Sequence, residues 1–294
     1  ERYLQNKHFG KHQECNTRCL IDKVTRFEDE HKHPMNIDSM TADDLRVFAD
    51  FLSSDYDISM NTIVTNMTLM RTVCSWVRKQ GVTNNDPFFG YDMPKALYGT
   101  PYFLTIQERD QVLDADLTDD AELAEYRDMF VFQCMVGCRH SDLVTFTPKN
   151  IIDGVLEYIP IKTKGKLGDV VRVPLIPKAM AILDGHDHGD DEPIFPKHYN
   201  FKFNDAIRRI LKRAKVNRVV TVINPKTRLE EKKPISDVAT SHLARRTFIG
   251  NLYRMVKDPD LVASMSGHAK GSVAFARYRV IDDDMKKSLV ELIQ

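Results

Sequence analysis

The chain has 294 residues, with 42 Lys and Arg against 42 Asp and Glu, and its formal net charge is zero. No stretch reaches the roughly 18 consecutive apolar residues of a membrane span, no signal peptide opens the chain, and five cysteines fit a reducing cytoplasm better than a disulfide framework. A neutral total taken alone argues against a strongly basic nucleic-acid-binding domain, and Glu1 in place of Met indicates a fragment of a longer protein.

The length predicts two domains, of which the first reads as helical over residues 1 to 93. Thr41 and Asp44 have the spacing of a capping box before an amphipathic run. A second run ends at Gly81. Its apolar residues recur at helical spacing: Ile63, Met67, Met70, Val73, Trp76 and Val77.

A segment rich in Asn, Asp, Pro and Gly then predicts a linker at residues 94–103, followed by a second domain at 104–294. Thr105 and Glu108 form another capping signal, and a long helix is expected over 121–138. The β-branched segments 155–163 and 169–175 read as strand, turn and strand, and helices resume after Pro177. The predicted fold is therefore mainly α with a small antiparallel β-sheet (α+β).

Positive charge is concentrated between Phe201 and Lys233, where 11 Lys and Arg face 3 Asp and Glu. Five of these cations crowd one predicted helix: Arg208, Arg209, Lys212, Arg213 and Lys215. A solvated helix face is the common explanation of such a run. A cationic wall beside a reactive centre would instead suit a phosphate-bearing substrate.

Four short segments of the second domain carry candidate catalytic side chains. Each has an ordinary structural explanation by itself, so the interpretation depends on their order and complementary chemistry. The segments are "GCRHSDL" with Arg139, "IPIKTKGK" with Lys162 and Lys164, "SHLARRTF" with His242 and Arg245, and "SGHAKGSVAFARY" with His268 and Tyr278.

Together these residue types suit the cleavage of a phosphodiester. Two arginines can clamp its non-bridging oxygens and stabilise a pentavalent transition state, and histidines can donate hydrogen bonds or transfer protons. A lysine can protonate the leaving alkoxide, and a tyrosine can form a covalent intermediate. The chain has no clustered carboxylates typical of a two-metal nuclease and no Walker loop. We therefore expect transesterification without metal, ATP or any other cofactor.

In this order the motifs resemble the tyrosine recombinase (phage integrase) family, and the wording of "SHLARRTF" and "FARYR" resembles integrases of conjugative or mobilizable transposons. The resemblance covers residues 101 to 294 and implies that residues 1–93 are a helical core-binding (SAM-like) domain. It also implies a supporting role for Asp142 beside Arg139. The implied catalytic set is Tyr278, Arg139, Arg245, His242, His268 and Lys162.

The sequence departs from the family pattern in two places. Ten positions separate His268 from Tyr278, one more than usual, and Gly271 is a suitable place for the extra residue. The predicted hairpin is also long, which leaves Lys162 and Lys164 both open as the general acid, with Lys162 favoured. The side chains expected to contact DNA are Lys164, Lys166, Arg208, Arg209, Lys212, Arg213 and Arg246.

The resemblance implies a double-stranded DNA partner carrying recombination or attachment sites, a homo-tetramer on synapsed DNA and a monomer when free. An accessory DNA-bending or directionality protein is left open, as is a missing N-terminal arm-binding domain. The implied location is the bacterial cytoplasm, at the nucleoid. Three alternatives remain: a Xer-like recombinase that resolves chromosome dimers, a topoisomerase IB-like relaxing enzyme, and a non-catalytic DNA-binding protein.

One segment outside these motifs has the ligand types of a zinc site. His8, His12, Cys15 and Cys19 are spaced so that they could share one helix face. The cysteine spacing is not that of a standard zinc knuckle, so a helix with polar histidines and half-buried cysteines is favoured and no metal is expected.

Overall fold

A computed structural model describes most of the chain and divides it into two compact units. The first unit is Glu1–Tyr98 with Ile223–Glu231, and the second is Gly99–Val222 with Lys232–Gln294. The described residues are 2–6, 11–163, 170–186, 189–256, 258–267 and 290–291.

The first unit is built from helices whose caps the sequence encodes. Thr41 and Asp44 form the predicted capping box, because the Thr41 side chain accepts from the Asp44 N–H while the Asp44 carboxylate accepts from the Thr41 N–H. Gly81, with φ of 70°, follows the fourth helix as predicted. The helices are α1 (Arg2–Asn6), α2 (Lys11–His31), α3 (Ala42–Ser54) and α4 (Met60–Lys79).

A cluster of aromatic and aliphatic side chains holds these helices together. Phe27 of α2 and Phe48 of α3 meet edge to face at 5.4 Å between ring centroids, and neither is accessible to solvent. Ile63 and Met67 of α4 complete the cluster on the helix face predicted from the apolar spacing.

The second unit contains the remaining helices and a small sheet. Thr105 and Glu108 form the second predicted capping box. The helices are α5 (Ile106–Leu113), α6 (Ala121–Val136), α7 (His140–Leu143), α8 (Pro177–Asp184), α9 (Asn200–Arg213), α10 (Ile235–Val238), α11 (Ser241–Val256) and α12 (Pro259–Ser266). The mainly helical fold with small antiparallel sheets is confirmed.

The sheet has three antiparallel strands in the order β1 (Ile151–Ile152), β2 (Val155–Tyr158) and β3 (Val171–Pro174). Leu156 lies opposite Val173 in the register. The expected first strand is shorter than the sequence indicated: it ends at Tyr158, and residues 161–163 form a 3₁₀ turn. Pro160 between them has no N–H to continue the ladder.

A second hairpin, β4 (Val219–Ile223) with β5 (Glu230–Pro234), was not expected from the sequence. Charged and polar residues fill β5, so it carries little strand signal. The tip of this hairpin, Ile223–Glu231, belongs to the first compact unit. There the carbonyl of Pro225 accepts from the Met60 N–H at 3.1 Å.

Helix α6 is the centre of the second unit. Every residue from Met129 to Val136 is buried, so this helix is covered on all sides and positions whatever follows its C-terminus. Among the described parts of the chain, no helix is long and apolar enough to cross a bilayer.

Candidate active site

Arg139 follows a left-handed turn at the end of α6. Gly137 caps the helix with φ of 69°, and a Cβ placed there would lie 2.2 Å from Cδ1 of Phe248. Glycine is therefore required both by the backbone and by the close approach of the ring. The turn ends at Arg139, the N-cap of α7, which is half-buried.

Arg245 reaches the same turn from α11. It is only 4% exposed, and its Nη1 donates to the carbonyl of Gly137 at 2.7 Å. This hydrogen bond joins positions 108 residues apart. The tertiary structure therefore brings the first and second arginine motifs together.

Asp142 connects the arginine turn to the predicted lysine. Its carboxylate is 1% exposed, and Oδ1 accepts from the N–H of Ile161 at 2.9 Å. Ile161 opens the 3₁₀ turn that carries Lys162, so Asp142 holds the lysine turn against the end of α6. A supporting role for Asp142 towards Arg139 itself stays a prediction.

His242 lies in the first turn of α11, where it keeps an exposed edge. Desolvation of the ring and then the positive charges of Arg246, Arg245, Arg139 and Lys162 lower the pKa of His242 below its ordinary value. The imidazole is thus within electrostatic reach of cations from three of the four sequence motifs. An anion bound here would face all of these charges.

Several buried polar atoms near Arg139 have no hydrogen-bond partner among the described residues. They are Nη1 of Arg139, Oδ2 of Asp142 and the hydroxyl of Tyr158. A buried, unpartnered guanidinium N–H is costly, and a bound phosphate oxygen would satisfy it.

Tyr158 is a residue that the motif search missed. It lies on β2, 7% exposed, and burial raises the pKa of its hydroxyl. The positive charges of Arg245 and Arg139 act in the opposite direction but are smaller than the effect of burial. A buried phenol that keeps its proton is unsuited to nucleophilic attack. Strand alternation was the only signal that could have placed Tyr158 on the buried face.

Arg246 has a structural contact of its own. Its guanidinium lies over the ring of Tyr102, 5.1 Å from the centroid. It is also the strongest of the charges that lower the pKa of His242. Arg246 therefore borders the site, and the predicted contact with DNA stays a prediction.

The cationic wall expected on α9 is not a free positive surface. Each of the four α9 side chains predicted to contact DNA forms an ion pair with a carboxylate. Three of these carboxylates lie outside residues 201–233. The pairs are Arg208 with Asp205 (3.4 Å), Arg209 with Asp120 (2.7 Å), Lys212 with Asp237 (2.9 Å) and Arg213 with Asp119 (2.5 Å). Three carboxylates from outside residues 201–233 therefore lie beside the cations of α9, and they reduce the expected positive charge of this helix.

The remaining site predictions fall outside the described residues: His268, Tyr278, Lys164 and Lys166. The chain is described up to Gly267, which ends α12 with φ of 62°. A Cβ on Gly267 would lie 3.0 Å from Val171 and 3.1 Å from Pro160. The residue before His268 is thus packed against the sheet, beside the turn that carries Lys162.

The described residues contain no group of three or more His, Cys, Asp and Glu side chains placed to hold a metal ion. Cys15 and Cys19 are both exposed on α2, where half-buried side chains were expected. His8, the first member of the proposed set, lies outside the described residues.

Comparison with known proteins identifies a family for the second unit. Residues 102–285 match the Phage integrase family. No curated protein sequence compared with the chain matches it.

Solved structures share the fold at low sequence identity. A Tn1549 transposon integrase in complex with transposon right end DNA has a TM-score of 0.70 and 16% identity, covering 99% of this chain and 97% of that chain. A lambda integrase dimer bound to a COC′ core site has a TM-score of 0.68 and 15% identity, covering 96% of this chain and 92% of that chain. The XerH site-specific recombinase bound to difH substrate has a TM-score of 0.63 and 14% identity, covering 96% of this chain and 79% of that chain.

Proposed function

Because the chain belongs to the phage integrase family of tyrosine recombinases, which transfer DNA strands, we propose that it is a site-specific recombinase that cleaves and rejoins DNA through Tyr278. The observation that carries this proposal is that the segments bearing Arg139, Arg245 and Lys162 are joined by two hydrogen bonds, from Arg245 to the Gly137 carbonyl at 2.7 Å and from the Ile161 N–H to the Asp142 carboxylate at 2.9 Å. These cations come from segments far apart in the chain, and their common location suits a scissile phosphate.

In the cleavage step, the Tyr278 oxygen attacks phosphorus and forms a P–O bond as the P–O5′ bond breaks. The phenol proton passes to water, and the departing 5′ oxygen takes a proton from Lys162 or Lys164. Arg139 and Arg245 stabilise the extra negative charge on the non-bridging oxygens. A tyrosine hydroxyl has a pKa of about 10, and this cationic surrounding favours its deprotonated form.

In the rejoining step, a 5′ hydroxyl attacks the 3′-phosphotyrosyl phosphorus and releases the tyrosine. The number of phosphodiester bonds is unchanged, so no ATP is required. The reaction also needs no metal, since the arginines neutralise the charge and the lysine supplies the proton.

The expected biological role is integration and excision of a mobile element. The structural likeness to a transposon integrase bound to transposon end DNA supports this role, and the likeness to a lambda integrase tetramer bound to a Holliday junction supports assembly as a tetramer on synapsed sites. We propose that residues 1–93 are the core-binding domain and that both domains contact duplex DNA. The protein would then act at the bacterial nucleoid.

A Xer-like recombinase is the second candidate, and the structural likeness to XerH bound to difH favours it. The two candidates use the same chemistry at different DNA sites. Sequencing the DNA that flanks the gene separates them, because a mobile-element integrase should lie beside a pair of attachment-site repeats.

The decisive experiment is trapping of the covalent intermediate. A set of overlapping nicked duplexes covers the DNA that flanks the gene. Cleavage near the nick releases a short fragment that carries the free 5′ hydroxyl, and its loss prevents religation. The wild-type protein should form a denaturation-resistant DNA adduct, and Tyr278→Phe should form none. Tyr253→Phe, a substitution of the same kind on α11, should retain the adduct. An adduct that persists in Tyr278→Phe contradicts the proposal.

A modified leaving group can separate Lys162 from Lys164 as the general acid. Sulfur at the bridging 5′ position leaves as a thiolate, whose conjugate acid has a pKa of about 8.5, and so needs little protonation. The alanine variant that removes the general acid should cleave an oxygen substrate slowly and a sulfur substrate at nearly the wild-type rate. The other lysine variant should show the same small effect on both substrates.

Topoisomerase-like activity predicts a different assembly. A relaxing enzyme would act as a monomer on supercoiled DNA of any sequence, whereas a recombinase should require two sites and sediment as a tetramer on them. Relaxation of plasmids that lack an attachment site would favour the relaxing enzyme.

A further inference from the structure

The turn that ends α6 is fixed by two buried side chains from different helices. Arg245 of α11 holds the Gly137 carbonyl at 2.7 Å, and the Nε2 of Gln133, on α6, donates to the Cys138 carbonyl at 2.9 Å. The backbone carbonyl of Gln133 also accepts from the Gly137 N–H at 2.9 Å. Gln133 therefore binds the turn through its backbone carbonyl, at Gly137, and through its side chain, at Cys138.

These contacts act on consecutive peptide planes. The Gly137 carbonyl belongs to the plane that joins Gly137 to Cys138, and the Cys138 carbonyl belongs to the plane that joins Cys138 to Arg139. Because a peptide unit is planar, a hydrogen bond to its oxygen also fixes the direction of its N–H and of the next Cα. With both planes held, the position of the Arg139 Cα is fixed, and the directions open to its side chain are restricted.

The environment of Gln133 argues against a role in stability alone. Gln133 is 1% exposed within a stretch of buried, mostly apolar residues, and its Oε1 has no hydrogen-bond partner in the described part of the chain. Burying an amide with an unsatisfied oxygen is unfavourable, and an apolar side chain of similar volume would avoid that cost. What the amide provides in return is the one hydrogen bond to the Cys138 carbonyl.

We infer that Gln133 is a positioning residue for strand cleavage, which orients Arg139 towards the scissile phosphate by holding the peptide plane between Cys138 and Arg139. This inference rests on the proposed function. It concerns a residue that would not touch the DNA, because the Gln133 side chain is enclosed by the core.

Gln133→Met tests the inference, because methionine has a similar length and no donor. A displacement of about 1 Å at a catalytic group can slow a reaction by up to about 100-fold, so we expect adduct formation to slow by about 10- to 100-fold. DNA affinity should stay within about twofold, since Arg139 would contribute one of many phosphate contacts. Gln133→Leu is a second apolar variant, and thermal unfolding verifies that both are folded.

Gln111→Met is the matched control. Gln111 makes the same type of hydrogen bond elsewhere in the second unit, from its Nε2 to the Ala214 carbonyl at 2.7 Å. The substitution is identical, so it reports the effect of losing a side-chain hydrogen bond to a backbone carbonyl. Gln111 is exposed whereas Gln133 is buried, and the effect of changing the core is therefore read from Gln133→Leu and from thermal unfolding. Gln111→Met should form the adduct at the wild-type rate.

A change in the substrate distinguishes positioning of Arg139 from a merely structural effect. A methylphosphonate at the scissile position replaces one charged oxygen with a methyl group, so less charge needs to be neutralised by arginine. The defects of Gln133→Met and of Arg139→Ala, relative to wild type, should both shrink on this substrate. A structural defect would be equally large on both substrates.

Three results would overturn the inference. Gln133→Met could cleave at the wild-type rate, or its defect could match that of Gln111→Met, or its defect could be the same on the phosphate and methylphosphonate substrates. A wild-type protein that forms no adduct on any flanking duplex overturns the proposed function, and the inference fails with it.

Discussion

The Asp142 carboxylate accepts the backbone N–H of Ile161 at 2.9 Å, although 19 residues separate them. Asp142 lies three residues after Arg139, and Ile161 immediately precedes Lys162. One buried carboxylate thus connects the backbone segments of two candidate catalytic cations. The distance between arginine and lysine is set by this contact and the sheet behind it, not by either motif alone.

Asp142→Leu should destabilise the protein and slow cleavage together. The substitution removes a hydrogen bond to a charged group, worth about 1.5–3 kcal/mol, and releases the turn that carries Lys162. Urea unfolding measures the free energy change. Asp114→Leu removes an exposed carboxylate at the end of α5 and should change stability by less than about 0.5 kcal/mol. Equal effects of the two substitutions would contradict this prediction.

Gly137→Ala should be far more destabilising than Gly81→Ala. Both glycines have nearly the same left-handed backbone, with φ of 69° and 70°. A Cβ on Gly81 meets nothing within 4 Å, whereas one on Gly137 lies 2.2 Å from the Phe248 ring. Both variants carry a backbone cost of about 1–2 kcal/mol, and overpacking adds about 1–3 kcal/mol to Gly137→Ala alone. Thermal and urea unfolding measure the loss of stability in each variant. The difference between Gly137→Ala and Gly81→Ala gives the cost of the clash with Phe248.

The pKa of His242 should be lower than that of an ordinary histidine and should rise in Arg139→Leu. Desolvation and the neighbouring cations disfavour the protonated ring, and the substitution removes one of these positive charges. Titration followed by NMR, with His242→Gln to assign the resonance, measures both values. Arg172→Leu, which removes a cation paired with Glu157, is the control and should leave the His242 midpoint unchanged.

The same shift predicts how stability depends on pH. Because the pKa of His242 is lowered in the folded state, the unfolded chain binds the proton more tightly. The contribution of His242 to the free energy of unfolding is therefore fully present above the ordinary histidine pKa. It is lost as the pH falls towards the lowered pKa of His242 in the folded state. His140 adds in the same direction, since desolvation and then His198 lower its pKa. His242→Gln should reduce the loss of stability on acidification, and an unchanged pH profile would contradict this assignment.

Arg209 and Arg213 of α9 should contact DNA only if they give up their ion pairs with Asp120 and Asp119 for DNA phosphates. If they do so, Arg209→Gln and Arg213→Gln should each reduce the salt dependence of binding by about one unit of slope. Asp120→Asn, which releases Arg209, should strengthen binding at low salt. Fluorescence anisotropy at several salt concentrations measures these slopes. Lys149→Gln, at an exposed lysine paired with Asp191, is the control. Unchanged slopes in both arginine variants would remove α9 from the predicted DNA contacts.

Removal of divalent metal should not affect cleavage. In the proposed reaction Arg139 and Arg245 neutralise the transition state, and a lysine protonates the leaving oxygen. Adduct formation should therefore proceed at the same rate with or without excess EDTA. An EDTA-dependent loss that Mg²⁺ or Zn²⁺ restores would require a metal in the mechanism.

Local features of the fold were predictable because short segments encode them. The capping boxes at Thr41 and Thr105 place side-chain acceptors beside unpaired N–H groups, and both helices begin there. The long helix expected over 121–138 ends at Val136, because Gly137 adopts a left-handed conformation that stops it. The length of β2 was not predictable, because its apolar run continues past Pro160, where the ladder stops. The β4–β5 hairpin escaped prediction because its second strand is polar.

The sequence by itself determined the fold class and the order of the candidate catalytic motifs, since periodicity, caps and residue types are local properties. Only the tertiary structure decided which groups meet. It directs Arg245 to the Gly137 carbonyl, Asp142 to the lysine turn and Gln133 to the peptide before Arg139. It also places carboxylates distant in the chain beside the cations of α9. The physical reason is that charge and hydrogen-bond partners depend on packing between helices, which no single segment encodes.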